Sequence, residues 1–478
     1  MAHVTRTDLG GNVPSDSAPE ISSGRAEVLI SLVHLSDMHV LDAVSPARAE
    51  WIELAAADPV WGPLLHTHRP YEALTAFALH AHICTIRNRP IGRATGRAFD
   101  LAISTGDNID NAQRNELDAY LALMRGGVAQ MTARGSAQDA PKDHDDRWPY
   151  WSPDAEVEDD WRRRGYPVVE DFIERASGPI RSDGLDMCWT SIPGNHDLMR
   201  QGTALPTPLM DERAVGAEKS LRRPAGFAPA DPLSHFVDHP ETFSNGATFR
   251  IAADPDRRAI DREEWIAAHV AAGALGYADD AARMSIDRVI DTDHVRFVLL
   301  DTNHPFGDYH GSIGTEQLSW LDERLAEVDI EPNRIAIIVS HHGADTLVND
   351  RGGHEERRLA GDMTTLVHRH PCAIAWLVGH RHINRIEARA GAAGGFWEIT
   401  TSSTIDWPSQ TRSLEVIRHG DGTLELICTM IDHEDAPDGM ATLHRDLARR
   451  FATDGIAAKL AGRDLDRDVR LVLPPRRP

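Results

Sequence analysis

Short apolar runs, most of them rich in Ile and Val, punctuate the chain from residue 27 onward, and each closes on turn-forming or polar residues. They are EVLISLVHLSD (27–37), FDLAISTGD (99–107), MCWTSIPGN (187–195), VRFVLLDTN (295–303), RIAIIVSHH (334–342) and AIAWLVGHRH (373–382). Their length falls short of a helix, and their β-branched content suits buried strands. FWEITTSST (396–404), SLEVIRHG (413–420) and TLELICTMI (423–431) come next, the last two joined by HGDG, a hairpin signal. Helical spacing fills the intervals: YEALTAFALHAHICTIRN (71–88), GTEQLSWLDERLAEV (314–328) with Thr315 expected as its N-cap, then RRLAGDMTTLVHRH (357–370) and ATLHRDLARRFA (441–452). Strands alternating with helices, then a strand-rich end, predict an α/β fold with layered sheets.

Two stretches break this rhythm. Residues 128–186 carry Trp148, Trp151 and Trp161 amid dense charge, and residues 199–290 are rich in Pro, Arg and Asp with little periodicity. Segments this long without a pattern are read as insertions on one domain, expected to form a cap. Trp148 and Trp151 suit either the interior of that cap or a stacking surface for a nucleobase. The expected organisation is a mobile polar segment (1–25), one domain over 26–432, and a helical extension over 433–478.

The chain has 478 residues, of which 41% are hydrophobic, and a net charge of -24. Such a surface repels polyanions unless a local cation offsets it, so nucleic acid is not an expected partner and a nuclease is disfavoured. The four cysteines (Cys84, Cys188, Cys372, Cys428) are scattered, which fits reduced thiols better than a disulfide or zinc framework. No basic start leads into an apolar signal region, and no apolar run approaches the ~18–20 residues of a membrane span. A cytoplasmic protein without membrane contact is expected.

The candidate chemistry sits at the strand ends. Asp37 and His39 close the first strand (SDMH), Asp107 and Asn108 the second (GDN), Asn195 and His196 the third (PGNHD), His341 and His342 the fifth, and His380 and His382 the sixth (GHRH). Each piece alone reads as turn chemistry. Together they pile carboxylates, an amide and imidazoles onto one edge of an α/β sheet, where ligands bind. Buried charge there needs a compensating cation. Asp, Asn and neutral His suit Mn, Fe, Zn or Co. Seven donors (Asp37, His39, Asp107, Asn195, His341, His380, His382) exceed one ion's needs but suit two ions sharing a carboxylate, with Asp107 the candidate bridge.

The order D-x-H, GD, GNHD, H, GH-x-H across residues 37–382 resembles the calcineurin-like metallophosphoesterase superfamily. The resemblance implies a four-layer αββα sandwich with the site at one edge. It implies a first metal held by Asp37, His39, Asp107 and His382, and a second by Asp107, Asn195, His341 and His380. At the fifth strand His341 is preferred over His342, although the family's usual His-x-Pro is replaced here by His341-His342-Gly343. Asp110 stands where purple acid phosphatases carry a tyrosine ligand, which argues against their tyrosinate chemistry. LLDTN (299–303), GSIGTEQLSWL (311–321) and TTSSTIDWPSQTR (400–412) are similar to bacterial cyclic-phosphodiesterase-like branches.

The implied activity is metal-dependent phosphoester hydrolysis by a dinuclear centre through metal-bound hydroxide. The preferred substrate is a small phosphodiester, of cyclic nucleotide or glycerophosphodiester type. Phosphomonoesterase or nucleotidase activity is the alternative, and a non-catalytic scaffold on the same fold a more distant one. His196 is expected at the leaving-group oxygen as an imidazolium, with Asp110 orienting it and favouring its charged form. Asp197 is expected to brace the turn, and His304, His310 and Arg381 to line the approach.

Overall fold

Along the strands Val295–Leu299 and Ile335–Val339 every residue is buried, yet successive side chains go to different places. Val295, Phe297, Leu299, Ile335, Ile337 and Val339 join one apolar cluster, while Val298, Ala336 and Ile338 join another. A side-chain period of two with both faces apolar is what a strand between two layers requires. The structure, a computed structural model, describes residues 3–10, 26–64, 66–140, 150–153, 159–280, 285–352, 356–392, 394–436, 438–452 and 454–475.

Those two strands belong to a six-stranded sheet ordered 385–389, 396–400, 373–378, 335–339, 295–299, 288–291. Its four central strands are parallel and both edges antiparallel. A seven-stranded sheet runs 4–6, 469–473, 424–432, 410–419, 26–35, 101–104, 189–191. Within it, strands 26–35, 101–104 and 189–191 are parallel, and an antiparallel pair of neighbours extends it through 410–419 and 424–432.

One cluster is common to both sheets, with Leu32, Ile103 and Leu426 meeting Phe297, Ile337 and Leu377. The other face of the larger sheet (Val33, Leu35, Ala102) packs on helices Thr75–Asn88, Arg114–Arg125 and Met440–Phe451. The other face of the smaller sheet (Val298, Ala336, Trp376) packs on Thr315–Asp329 and Ala360–Val367. Both sheets thereby send the carboxyl ends of parallel strands to one edge, and the seven candidate donors lie just beyond those ends. No helix among the described residues is long and apolar enough to cross a membrane.

All nine expected strands form, and the structure adds four to the two large sheets: Val4–Arg6, Arg288–Asp291, Arg385–Arg389 and Val469–Leu473. The first corrects the expectation for part of 1–25, since Val4–Arg6 pairs in parallel with Val469–Leu471. That pairing also returns the end of the expected helical extension to the sheet. Residues 199–290 likewise finish in a sheet strand. Gly314, not Thr315, caps the helix after it, with the Gln317 side chain accepting from Gly314 N at 3.1 Å. Trp151 is fully buried, with ring centroids 5.5 Å from Tyr166 and 5.0 Å from Phe172, so it is interior and not a stacking surface. Trp148 lies outside the described residues.

The shared core between the sheets sets a stability expectation. Leu426 is 0% exposed and remote from the strand ends that matter for chemistry. Leu426→Ala should cost about 2–5 kcal/mol, as lost burial plus a cavity. A lowered urea midpoint with unchanged metal affinity is the expected result.

Candidate metal centre

Where the parallel strands stop, the chain turns back through unusual backbone. Asp37 (φ 52°), His39 (41°), Asp107 (51°), His380 (66°) and His382 (52°) all occupy the left-handed region. For residues with a Cβ this costs of order 1–3 kcal/mol each and persists only where surroundings over-determine it. Here backbone bonds do so: Asp37 N donates to Gly106 O at 3.0 Å and His39 N to Asp107 O at 2.9 Å. The glycines of GD and PGNHD are explained by crowding. A Cβ on Gly194 would sit 2.2 Å from Asp107 Oδ1 and 2.7 Å from His341 Cε1.

The seven expected donors meet in two groups that share Asp107. Ligand atoms of Asp37, His39, Asp107 and His382 lie within 4.8 Å of one another. His39 Nε2 is 3.2 Å from His382 Nε2 and 3.6 Å from Asp107 Oδ2, and His382 Nε2 is 3.3 Å from Asp37 Oδ1. In the other group His341 Nε2 lies 2.9 Å from Asn195 Oδ1 and 3.2 Å from Asp107 Oδ2. His380 Nδ1 is 3.0 Å from the same Asn195 oxygen and 3.2 Å from His341 Nε2. Two atoms bound at ~2.1 Å to one ion sit roughly 3.0–3.5 Å apart, which matches these spacings. Asp107 Oδ1 is occupied by the backbone N–H of His196 at 2.8 Å, so Oδ2 is the oxygen facing both groups.

The partners of the outer ring nitrogens fix which atom each imidazole offers. His341 Nδ1 is 2.8 Å from Thr105 O, His39 Nδ1 is 2.9 Å from Asp110 Oδ1, and His382 Nδ1 is 2.6 Å from Asp406 Oδ2. Each partner only accepts, so each Nδ1 carries hydrogen and the neutral ring turns the Nε2 lone pair inward. Those lone pairs then face other lone pairs and carboxylate oxygens, an arrangement that repels unless a proton or a cation lies between. Asn195 is oriented likewise, its Nδ2 donating to Gly202 O at 2.9 Å so that Oδ1 points in. The donor set therefore fits metal ions.

Protonation behaviour agrees. Burial would lower His341 and His382, but Asp107 overrides it for the first and Asp37 with Asp406 for the second, raising both to about 9. Burial would also raise Asp107, yet the surrounding histidines, His341 foremost, hold it well below the usual carboxylate range. Burial keeps His39 and His380 well below their ordinary value.

His342 is close to His341 and His380 as well. Its nitrogens are nevertheless engaged elsewhere, Nδ1 2.9 Å from Thr302 Oγ1 and Nε2 3.1 Å from Tyr309 O. His196 lies beside Asp110. Its Nδ1 donates to the backbone carbonyl of Asp110 at 2.6 Å and lies 3.4 Å from the Asp110 carboxylate, which also meets His39 and the buried Arg48 guanidinium. Burial takes the His196 ring down to about 4, with Asp107 opposing and Arg69 reinforcing the shift. The ring is therefore neutral with Nε2 available, and Asp110 meets His39 through its side chain and His196 chiefly through its backbone carbonyl. Asp197 braces the turn, accepting from Gly194 N at 2.7 Å, and from Asn108 N and Ile109 N at 3.0 Å each. His304 is buried, His310 turns to Asp308 at 3.3 Å, and Arg381 is exposed near Asp345 at 3.5 Å.

Four contributors escaped the sequence reading: Arg48, Arg69, Asp406 and Gly202. Arg69 grips Asp406 with two bonds of 2.7 Å, behind His382. Asp406 sits in the TTSSTIDWPSQTR run, but nothing in that run marks one residue as a histidine's partner. Gly202 (φ +65°) comes shortly after the PGNHD turn, and a Cβ there would lie 2.3 Å from His196 Cδ2 and 2.4 Å from Asn195 Nδ2.

No protein-family model and no curated protein matches this chain. Among solved structures, a dimetal phosphatase from Danio rerio is similar over 85% of this chain and 100% of its own, at 12% identity and a TM-score of 0.42. A 5′-nucleotidase from Candida albicans is similar over 89% of this chain and 59% of its own, at 12% identity and a TM-score of 0.29. The chain thus spans less than two thirds of the nucleotidase's length. With both TM-scores below 0.5, any reading of the chemistry rests on the donor geometry.

That geometry carries two expectations. Because His341 and His382 hold protons up to about 9 when no ion is present, an ion must displace them. Metal affinity should therefore climb with pH and level off near 9, by roughly tenfold per unit for each ion, in competition titrations against a chelator. Gly202→Ala should push Asn195 and His196 from their places, leaving the purified protein short of one ion equivalent by elemental analysis.

Proposed function

We propose that this chain is a metal-dependent phosphoester hydrolase of the calcineurin-like metallophosphoesterase type, acting on a small-molecule phosphodiester. The observation that carries this reading is the single oxygen, Asp107 Oδ2, lying 3.6 Å from His39 Nε2 and 3.2 Å from His341 Nε2, between two converging donor groups. Asp37, His39, Asp107 and His382 would hold one ion; Asp107, Asn195, His341 and His380 would hold the other. Mn, Fe or Zn suits such oxygen and imidazole donors. Bound there, two divalent ions supply Lewis acidity toward phosphoryl oxygens and lower the pKa of water from ~15.7 toward ~7.

The chain's own residues do the rest. The outer partners Thr105, Asp110 and Asp406 hold protons on Nδ1 of the three histidines, so that Nε2 is the nitrogen left to face the ions. His196, held by the Asp110 carbonyl, keeps Nε2 free, and an anionic substrate beside it would favour the protonated ring that can donate to the leaving oxygen. The nearby buried cations are already committed: Arg69 to Asp406, and Arg48 to Asp110 and Glu72. With those guanidiniums occupied, a singly charged diester is better matched than a doubly charged monoester. The two ions' local charge answers how a chain of net charge -24 accepts an anion at all.

Reconstitution with Mn2+ and comparison of bis-p-nitrophenyl phosphate with p-nitrophenyl phosphate tests the preference; a higher kcat/KM for the monoester would reverse it. Asp107→Ala should lower turnover by at least a thousandfold and release both ions. His341→Ala should lose one ion equivalent where His342→Ala keeps two. Full activity in Asp107→Ala would sink the hydrolase reading.

A further inference from the structure

Beside the metal centre lies a cavity of about 990 Å³, whose wall includes Arg69 and Asp406, the pair in contact with His382. Three of the parts that build it lie outside the strand ends that present the donors. Asp160, Trp161 and Arg164 come from the first long insertion, Leu221, Arg222 and Arg223 from the second, and Phe451, Ile456 and Leu460 from the carboxy-terminal helices. A space of this size exceeds what a phosphoryl group needs and falls in the range that encloses an organic molecule.

Its chemistry is specific in two respects. Aromatic faces line it: Trp161 stacks on Phe451 with centroids 5.9 Å apart, and Trp407 lies under the Arg449 guanidinium at 5.5 Å. Arginines also concentrate here, against the strongly acidic balance of the whole chain. The Arg164 guanidinium lies over Trp161 at 4.9 Å and that of Arg223 over Trp61 at 4.4 Å. Of the three acids in the wall, Asp406 is neutralised by Arg69, Asp160 faces Arg163 at 2.7 Å, and Glu53 lies 3.8 Å from His66. His68, 3% exposed, lines the same wall with an Nε2 that has no hydrogen-bond partner. Flat apolar surface edged by guanidinium binds an aromatic ring carrying an anionic group.

We propose that this cavity receives the organic side of the substrate, and that this side is a nucleoside bearing a second phosphate. The proposal rests on the hydrolase reading for the word substrate, but its binding chemistry stands apart from it. The base would lie among Trp161, Trp407 and Phe451, and the second phosphate would meet Arg164 and Arg223. Specificity would then be set by the two insertions and the carboxy-terminal helices, while the ions act on the bond to be cleaved.

Calorimetry on chelator-treated protein separates the two claims, because stripping the ions removes their attraction for phosphate. Thymidine 3′,5′-bisphosphate should bind at least tenfold more tightly than thymidine, and the double variant Arg164→Ala/Arg223→Ala should lose that margin. With Mn2+ restored, the ratio of kcat/KM for thymidine 3′-phosphate 5′-(p-nitrophenyl phosphate) to that for bis-p-nitrophenyl phosphate should fall at least tenfold in the same variant. An unchanged margin and ratio would overturn the proposal, as would tighter binding of a long-chain acylglycerol phosphate than of the bisphosphate. Bisphosphate binding that depends on the arginines, in a protein with no phosphoesterase activity, would uphold the cavity's chemistry and sink the hydrolase reading instead.

Discussion

Carboxylate oxygens and imidazole lone pairs face one another at the edge of two packed sheets, at separations where they repel. Asp107 Oδ2 sits at the middle of this confrontation, close to His39 on one side and His341 on the other. Bulk water would screen such a cluster, but these side chains are buried or nearly so. A buried anion without a partner is among the most costly features a protein can carry. Charge of opposite sign is therefore required there, as protons on His341 and His382 or as metal ions. Either way the surrounding chain has to hold the donors in place against their own repulsion.

The fold does this with backbone before it does so with side chains. Left-handed conformations at Asp37, His39, Asp107, His380 and His382 aim consecutive polar residues toward the same space directly after a strand ends. Gly106, Gly194, Gly202 and Gly379 sit against those residues where a Cβ would collide with a ligand atom or its neighbour. The strain is tolerable because the strands beneath are locked between layers of apolar side chains. A tightly packed core does not deform gradually, so it fixes where each strand delivers its final residue.

A second circle of charge surrounds the first. Asp110 joins His39 to Arg48, Arg48 joins Glu72, and Lys219 from the long second insertion reaches Glu50 at 2.5 Å and the carbonyl of Ala43 at 2.8 Å. On the opposite side Asp406 ties His382 to Arg69, which in turn faces the large cavity. The second insertion is thus anchored by the electrostatics that orient the donors, and both insertions wall the cavity.

The nine expected strands were legible because period and composition there reflect burial, a local property. The seven candidate donors could be picked out because each comes directly after such a strand. Edge strands such as Val4–Arg6 and Arg385–Arg389 were not, since they are short and only partly buried, and their pairing is set by a distant neighbour. The helix Arg114–Arg125 escaped for a related reason: its polar opening reads as a turn until its apolar face meets the sheet. What residue order determined by itself was the inventory of donors and the strands that present them. Only the tertiary structure decided that His341 and not His342 turns inward, that Asp110 serves His39 with its side chain and His196 chiefly with its backbone carbonyl, and that Asp406 backs His382. These are questions of direction between residues tens or hundreds of positions apart, and direction is set by packing, which no local pattern encodes.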